Sequence, residues 1–118
     1  VLRWIPETPG FVVAKVEYAS GDVGMYNAVW NAPGPWAVTV TTQEKRWELR
    51  PLENGFVQIR GSRKLTPIPE HPWDKAFKPG LRMQAEEVCK ALKGLRHDLV
   101  SIEESLETMK LVRNIYEV

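Results

Sequence analysis

Alternation of apolar and polar side chains at a period of two residues, over the first half of the chain, restricts its fold more than any other feature. Val12, Ala14, Val16 and Tyr18 are interleaved with lysine and glutamate. Successive residues of a strand point to opposite faces of a sheet, so this pattern predicts a strand. It returns in segments 26–31, 36–41, 46–50 and 56–60. The first half therefore predicts about five strands, each with one apolar face.

Short turns separate these strands. Ser20-Gly21-Asp22, Pro33-Gly34-Pro35 and Asn54-Gly55 are turn or breaker sequences, and Asn54-Gly55 in particular predicts a hairpin because both residues tolerate positive φ. Short connections favour antiparallel neighbours, since a parallel crossover needs many more residues. The other face of the sheet would collect polar residues: Lys15, Glu17, Asn27, Asn31, Thr39, Thr41, Glu48 and Arg50. We expect an antiparallel sheet with one open face.

Segment 65–79 shows neither the two-residue period of a strand nor the period of an amphipathic helix. Its four prolines, Pro67, Pro69, Pro72 and Pro79, argue against a regular helix or an inner strand. Trp73 and Phe77 indicate that the segment still packs against the body of the domain. A connection of this length is often functional or lies between domains.

Two amphipathic helices are predicted after this segment. The first carries Leu81, Ala85, Val88 and Leu92 at helical spacing and ends at Gly94. Glu86 and Lys90 form an i,i+4 pair, and Cys89 is expected to be a small core residue.

The second helix begins at a capping box of Ser101 and Glu104. Its predicted apolar stripe comprises Ile102, Leu106, Met109, Val112 and Tyr116. The fold class that follows is α+β, with a mostly antiparallel open-faced sheet of about five to six strands and two C-terminal helices packed on one face. Residues 1–118 would form a single domain.

Composition excludes several classes of function. The net charge is +1, with 26% charged and 43% hydrophobic residues. These values give no field for nucleic acid or an anionic membrane, and no apolar run has the length of a membrane span. The basic residues Arg46, Arg50, Arg60, Arg63 and Lys64 are interleaved with glutamates. We therefore expect no nucleic-acid or membrane partner, and a cytoplasmic location is the simplest interpretation of a single cysteine.

The chain offers few candidates for chemistry. It has no G-x-G-x-x-G motif, and Gly21 and Gly24 lie in a predicted hairpin rather than between a strand and a helix. No metal-ligand spacing occurs, so we expect no metal. His97 precedes Asp98, which could orient it, but adjacent side chains rarely aim at one point.

The best polar cluster lies in the proline-rich segment: His71, Trp73, Lys75 and Lys78. A solvated loop with an aromatic anchor is the favoured interpretation of these residues, and a substrate-facing cluster is the alternative. The five tryptophans are expected mostly in the core, with one or two at an interface.

The second half resembles the C-terminal end of Gfo/Idh/MocA-type oxidoreductases. The resemblance is carried by Phe77-Lys78-Pro79-Gly80-Leu81, by Gln84-Ala85-Glu86, by the Gly94 break and by the closing Leu111-Val112-Arg113-Asn114-Ile115-Tyr116. The hairpin Tyr18-Ala19-Ser20-Gly21-Asp22 is similar to one in that family's large sheet. The similarity runs from about Phe11 to Val118 and rests on short motifs and their order.

The resemblance implies a C-terminal domain that forms the substrate pocket and the oligomer contact of an oxidoreductase acting on a sugar, polyol or related compound. An N-terminal Rossmann domain would bind NAD or NADP in the full-length protein, whereas this chain would hold no cofactor and be inactive alone. The family's Glu-Lys-Pro motif has no match, because Lys78-Pro79 follows Phe77, so no catalytic residue carries over. The implied partners are that Rossmann domain and further copies of the chain through the sheet face.

Two origins remain open at this point. The chain begins at Val1 rather than Met, so we expect a processed product or a piece of a longer protein. The alternative is a stand-alone binding or scaffold module without enzymatic activity.

Overall fold

The structure, a computed structural model, describes residues 3–5 and 10–116, with side chains from residue 10 onward. It divides into two compact units. The first consists of the chain up to Gly34 together with the segment from Val100, and the second is Pro35–Leu99.

The described elements are numbered in chain order. The strands are β1 (Arg3–Ile5), β2 (Phe11–Glu17), β3 (Val23–Val29), β4 (Val38–Thr41), β5 (Lys45–Leu49), β6 (Gly55–Ile59) and β7 (Thr66–Pro67). The helices are α1 (Pro72–Ala76), α2 (Leu81–Leu92) and α3 (Ile102–Tyr116).

The first unit packs α3 on an antiparallel sheet of order β1-β2-β3. Val12 pairs with Ala28 and Ala14 with Tyr26, so these residues share one face of the sheet. Val12, Ala14 and Ile115 are its buried core. Partly buried residues surround them: Val16, Ala28, Leu111 and Tyr116. The period-two prediction for β2 is thereby confirmed, because alternate residues of that strand meet the helix.

The second unit contains an antiparallel sheet of order β4-β5-β6-β7 together with α1 and α2. Each strand pairs with its neighbour in sequence, as short connections require. The predicted α+β class with antiparallel strands is confirmed, and the structure distributes those strands over two sheets. None of the helices in the described part of the chain is long and apolar enough to cross a membrane.

The β5–β6 hairpin is present, but its turn differs from the one predicted from Asn54-Gly55. Positive φ among the described non-glycine residues occurs at Asn31 and not at Asn54. The loop is longer: Arg50 N–H donates to Asn54 O, and Asn54 N–H donates to Pro51 O. Gly55 has a different role, because a Cβ there would lie 3.1 Å from Ile68 Cδ1.

Local signals at the other chain reversals are confirmed. Gly21 adopts φ +88° in the β2–β3 turn, where Tyr18 N–H donates to Asp22 O. Gly94 adopts φ +66° after α2, and its N–H donates to Ala91 O while Leu95 N–H donates to Lys90 O. These two bonds satisfy the last carbonyls of the helix.

The capping box of α3 also forms as predicted. Glu104 N–H donates to Ser101 Oγ at 3.1 Å, and Ser101 N–H donates to Glu104 Oε2 at 2.8 Å. Two donors that the helix itself leaves without partners are therefore satisfied.

The expectation of no helix in segment 65–79 is wrong, because α1 occupies Pro72–Ala76. Pro72 stands in the first turn, where a helix does not use the missing N–H and the fixed φ is already helical. His71 supplies the cap. A proline at that position starts a helix rather than preventing one.

The predicted apolar stripes of the two long helices are largely exposed. In α3, Ile102 is 84% exposed, and Tyr116 is the member of the predicted stripe that packs on the core, together with Leu111 and Ile115 from beside the stripe. In α2, Leu92 is 82% exposed, and the buried residue is Glu87. The helical period is confirmed in both segments, but most of the buried contacts come from residues outside the predicted stripes.

Three further expectations about packing are wrong. Cys89 is exposed rather than a small core residue. The tryptophans do not form the core: Trp36 is 81% exposed and Trp30 is also exposed, while Trp47 and Trp73 are half-buried. The side chain of Trp4 lies outside the described residues.

Candidate functional site

The end of the proline-rich segment folds into α1 because its first residues supply both a cap and a helical start. His71 is extended, with φ −67° and ψ 139°, and its Nδ1 accepts a hydrogen bond from Trp73 N–H at 3.3 Å. Asp74 N–H donates to His71 O, and Phe77 N–H closes the turn on Trp73 O. These hydrogen bonds position the backbone of Trp73 in the first turn of α1.

The Trp73 indole contacts His71 and Arg82, and Arg82 also lies over the ring of Phe77. We call these four side chains the Trp73 cluster. The His71 ring meets Trp73 edge-on, with ring centroids 4.8 Å apart. The Arg82 guanidinium carbon lies 4.6 Å from the Trp73 ring centroid and 5.6 Å from that of Phe77. A cation at these distances is attracted by the negative face of an aromatic ring.

A hydrogen bond from the residue before α2 to a carboxylate in α1 connects the two helices. Gly80 N–H donates to Asp74 Oδ1 at 2.8 Å. Gly80 itself adopts φ +77°, a left-handed conformation that glycine reaches without steric cost. Asp74 therefore connects α1 to the residue that precedes α2, and Arg82 lies in the first turn of α2.

The structure brings together two of the four residues predicted for the site. His71 and Trp73 are in direct contact. Lys75 and Lys78 are exposed on the same segment, and neither side chain makes a hydrogen bond or ion pair within the described residues. They add positive charge near the cluster. A substrate-side role for the four residues stays a prediction.

Phe77 and Arg82 are members of the cluster that sequence reasoning missed. A signal was present for Arg82: a cation in the first turn of a helix opposes the macrodipole, which favours anions there. An arginine in that unfavourable position suggests that other contacts determine its placement. Those contacts are the two aromatic rings.

A second polar arrangement, at the end of α2, fastens the following loop. The buried carboxylate of Glu87 accepts hydrogen bonds from Lys90 Nζ and from Asp98 N–H, the latter at 2.8 Å. The hydrogen bond from Lys90 and then that from Asp98 hold the pKa of Glu87 below its usual value. Lys90 contacts Glu87 instead of the predicted i,i+4 partner Glu86.

His97 is not arranged as a base oriented by Asp98. Its Nδ1 accepts a hydrogen bond from Leu99 N–H at 3.3 Å, and the contact of Asp98 described here is made by its backbone. This arrangement is a local loop turn.

The first unit has a cluster of its own, formed by Tyr26, Trp30 and Tyr116, which we call the tyrosine cluster. The hydroxyls of Tyr26 and Tyr116 are 2.7 Å apart, and Trp30 Nε1–H donates to Tyr116 Oη at 2.9 Å. Both rings meet Tyr116 in edge-to-face geometry. The hydrogen bond with Tyr116, followed by burial, raises the pKa of Tyr26 to about 12.

The described residues bear on two further kinds of site, a metal site and a basic patch. Within residues 10–116 and 3–5, no group of three His, Cys, Asp or Glu side chains could hold a metal ion. Arg46 pairs with Glu48 and Arg60 with Glu44, each at 3.2 Å. These pairs match the expected interleaving of charge, while the predicted lack of metal and of nucleic-acid partners stays a prediction.

Comparisons with protein-family models, curated proteins and solved structures find no match to this chain. The geometry and chemistry of the Trp73 cluster therefore carry the functional argument. It combines a half-buried indole, two further aromatic rings and a cation, and so presents both stacking surface and hydrogen-bond donors.

Proposed function

We propose that this chain is the substrate-side and oligomerisation domain of an NAD(P)-dependent oxidoreductase acting on a sugar, polyol or related compound. The sequence resemblance supports this role, and the observation that carries it is the Trp73 cluster on the α1–α2 segment, where the family-like motif Phe77-Lys78-Pro79-Gly80-Leu81 lies. Aromatic rings beside a few oriented polar groups are typical of pockets for small polar ligands.

The dinucleotide would be bound by another part of the protein. Gly21 lies in the turn of the β2–β3 hairpin and Gly24 lies in β3 itself, and a hairpin does not present the helix N-terminus that a pyrophosphate needs. Hydride transfer between nicotinamide and a carbinol carbon would therefore occur at an interface with a Rossmann domain. Cytoplasmic location belongs to the same proposal.

The oligomer contact would use the open face of the first sheet, opposite α3. This face presents Lys15, Glu17, Val23, Met25, Asn27 and Val29. Met25 is 64% exposed, and Val23 and Val29 are exposed as well. A sheet face that mixes apolar and charged residues in this way is suited to an isologous contact, where a residue of one copy contacts a second residue of the other copy and the reverse contact also forms.

Two measurements test the proposal. We expect the isolated chain to give no change in nicotinamide absorbance with a panel of sugars and polyols, and the product of the native reading frame to oxidise at least one of them. Turnover by the chain alone would refute the assignment. A native reading frame without a strand, a G-x-G-x-x-G turn and a helix upstream would instead favour a stand-alone binding or scaffold module.

The oligomer contact has its own test, by light scattering of the native protein. We expect a Met25→Lys variant to dissociate the assembly while an Ile59→Lys variant, a matched change of an exposed residue in the second sheet, leaves it intact. A strictly monomeric native protein would contradict the contact.

A further inference from the structure

The Arg82 guanidinium is held in place and yet has no acidic partner within the described residues. Its aromatic neighbours Trp73 and Phe77 restrict where the planar group can lie. No ion pair within 4.0 Å and no side-chain hydrogen bond is formed by Arg82 in this part of the chain. A guanidinium has five N–H donors and no acceptor, so Arg82 has donors that no side-chain hydrogen bond in this part of the chain uses.

The cations around the cluster have no ion-pair partner. Lys75, Lys78 and Arg82 form no ion pair within the described residues, although Glu70 and Glu86 flank the segment in sequence. Asp74, the carboxylate inside the segment, already accepts the Gly80 N–H. An approaching anion would therefore meet three cations whose charges are not engaged by a contacting carboxylate.

We propose that the Trp73 cluster binds the carboxylate or phosphate group of a small sugar-derived ligand. Two parallel N–H donors of Arg82 match two oxygens of either group, and stacking of the guanidinium reduces the loss of side-chain freedom when those bonds form. Trp73 and Phe77 offer apolar ring surface beside the anion. This inference rests on the proposed function for its choice of a sugar-derived ligand, and it narrows the substrate to an acidic one.

The test is a titration of the native protein, labelled with ¹⁵N, followed by the tryptophan indole and arginine Nε–H signals. Glucuronate supplies a carboxylate, glucose 6-phosphate supplies a phosphate, and glucose is the neutral control. Sodium chloride at matched ionic strength separates specific binding from screening. We expect saturable shifts of the Trp73 and Arg82 signals with one or both anionic sugars and none with glucose or chloride.

Variants assign the binding to the guanidinium. Arg82→Gln should weaken binding about tenfold or more, because it removes charge-assisted hydrogen bonds. Arg82→Lys keeps the charge but loses the planar fork, so it should weaken binding by a smaller factor. Arg63→Gln, a charge loss at an exposed loop residue of the same unit, should leave the affinity unchanged. Circular dichroism and the melting temperature establish that each variant is folded.

The outcomes distinguish a carboxylate ligand from a phosphate ligand, and they distinguish anion binding from the proposed oxidoreductase role. Binding of glucuronate alone assigns a carboxylate ligand, binding of glucose 6-phosphate alone assigns a phosphate ligand, and binding of both leaves the shared oxyanion chemistry. Absence of saturable shifts, equal shifts with glucose, or full affinity in folded Arg82→Gln would overturn the inference. Because nicotinamide takes no part, anionic-sugar binding together with a reading frame lacking a dinucleotide domain would uphold this inference and overturn the oxidoreductase role.

Discussion

Tyr116 links the last turn of α3 to β3 and its following residue through one hydroxyl. That oxygen accepts from Trp30 Nε1–H and pairs with the Tyr26 hydroxyl. Tyr116→Phe removes both bonds, and we expect it to lower the free energy of unfolding by about 1 kcal/mol per lost bond. Urea titration measures the change. Tyr18→Phe is the control, since the Tyr18 hydroxyl makes no hydrogen bond in the described part of the chain; an equal loss in both variants would contradict the role of the cluster.

The same contact predicts a pH dependence at the alkaline end. The pKa of folded Tyr26 is about 12, above the ordinary 10.0, because Tyr116 and burial favour the neutral phenol. A folded pKa above the unfolded one gives a stabilisation that is complete below pH 10 and lost as the pH rises toward 12. Absorbance titration should show the Tyr26 phenol ionising at a higher pH in the wild type than in Tyr116→Phe, where burial remains but the hydrogen bond is lost. An alkaline end of the titration at the same pH in the two proteins would contradict this.

Glu87 predicts the opposite dependence, at the acidic end. Its pKa is lowered first by the hydrogen bond from Lys90 and then by that from Asp98 N–H. The stabilisation is therefore present above the ordinary pKa of a glutamate and lost as the pH falls through the lower, folded value. We expect Glu87→Gln to lower the melting temperature at neutral pH and to match the wild type in acid.

The control for that measurement lies one residue away. Glu86→Gln makes the same chemical change at an exposed carboxylate that forms no ion pair in the region described. At every pH, the melting temperature of Glu86→Gln should be nearly the same as that of the wild type. The melting temperature of the wild type should fall more between neutral and acidic pH than that of Glu87→Gln. Equal falls in the two proteins would show that the buried carboxylate does not contribute to stability.

Among the elements, α3 begins at a capping box that satisfies two backbone N–H groups. Ser101→Ala leaves Glu104 N–H without its partner, and such a substitution costs about 1 kcal/mol. Ser105→Ala lies one turn inside the same helix, where alanine is the better helix former, so it should be neutral or slightly stabilising. Urea titration of the two variants followed by circular dichroism at a helix wavelength gives the comparison. Equal stability of both would contradict the capping role.

Turns and helix ends could be predicted from the sequence, because the residues that form them are close together in the chain. The packing of the helices could not be predicted. The turn at Gly21, the helix end at Gly94 and the Ser101–Glu104 box each involve residues within a few positions of one another, so the sequence contains the whole interaction. Burial of a helix face depends on distant partners. Ile102 and Leu92 continue apolar stripes at helical period, yet both are exposed.

The Trp73 cluster could be found only in part for the same reason. His71 and Trp73 are two residues apart, and a search for polar and aromatic residues in one loop locates them. Arg82 belongs to the next helix and reaches Trp73 only because α1 forms and Asp74 binds the Gly80 N–H. The proline count argued against that helix, and with it against the contact.

At the scale of the whole molecule, buried apolar volume is concentrated in one unit. Within the described residues, the buried hydrophobic side chains are Val12, Ala14 and Ile115, all in the first unit. The second unit has a well-paired sheet but only partly buried apolar side chains. Backbone amides open most rarely where burial is greatest, because opening exposes that surface to water.

We therefore expect amides of β2 to exchange with deuterium more slowly than those of β5 in the native protein, although both strands are paired on two sides. Nuclear magnetic resonance measures this residue by residue. Val12→Ala should speed exchange in β2 and α3 and leave β5 unchanged if the two units open separately. An equal acceleration in β5 would instead establish one cooperative unit, because loss of a side chain in one unit would then be transmitted to the hydrogen bonds of the other.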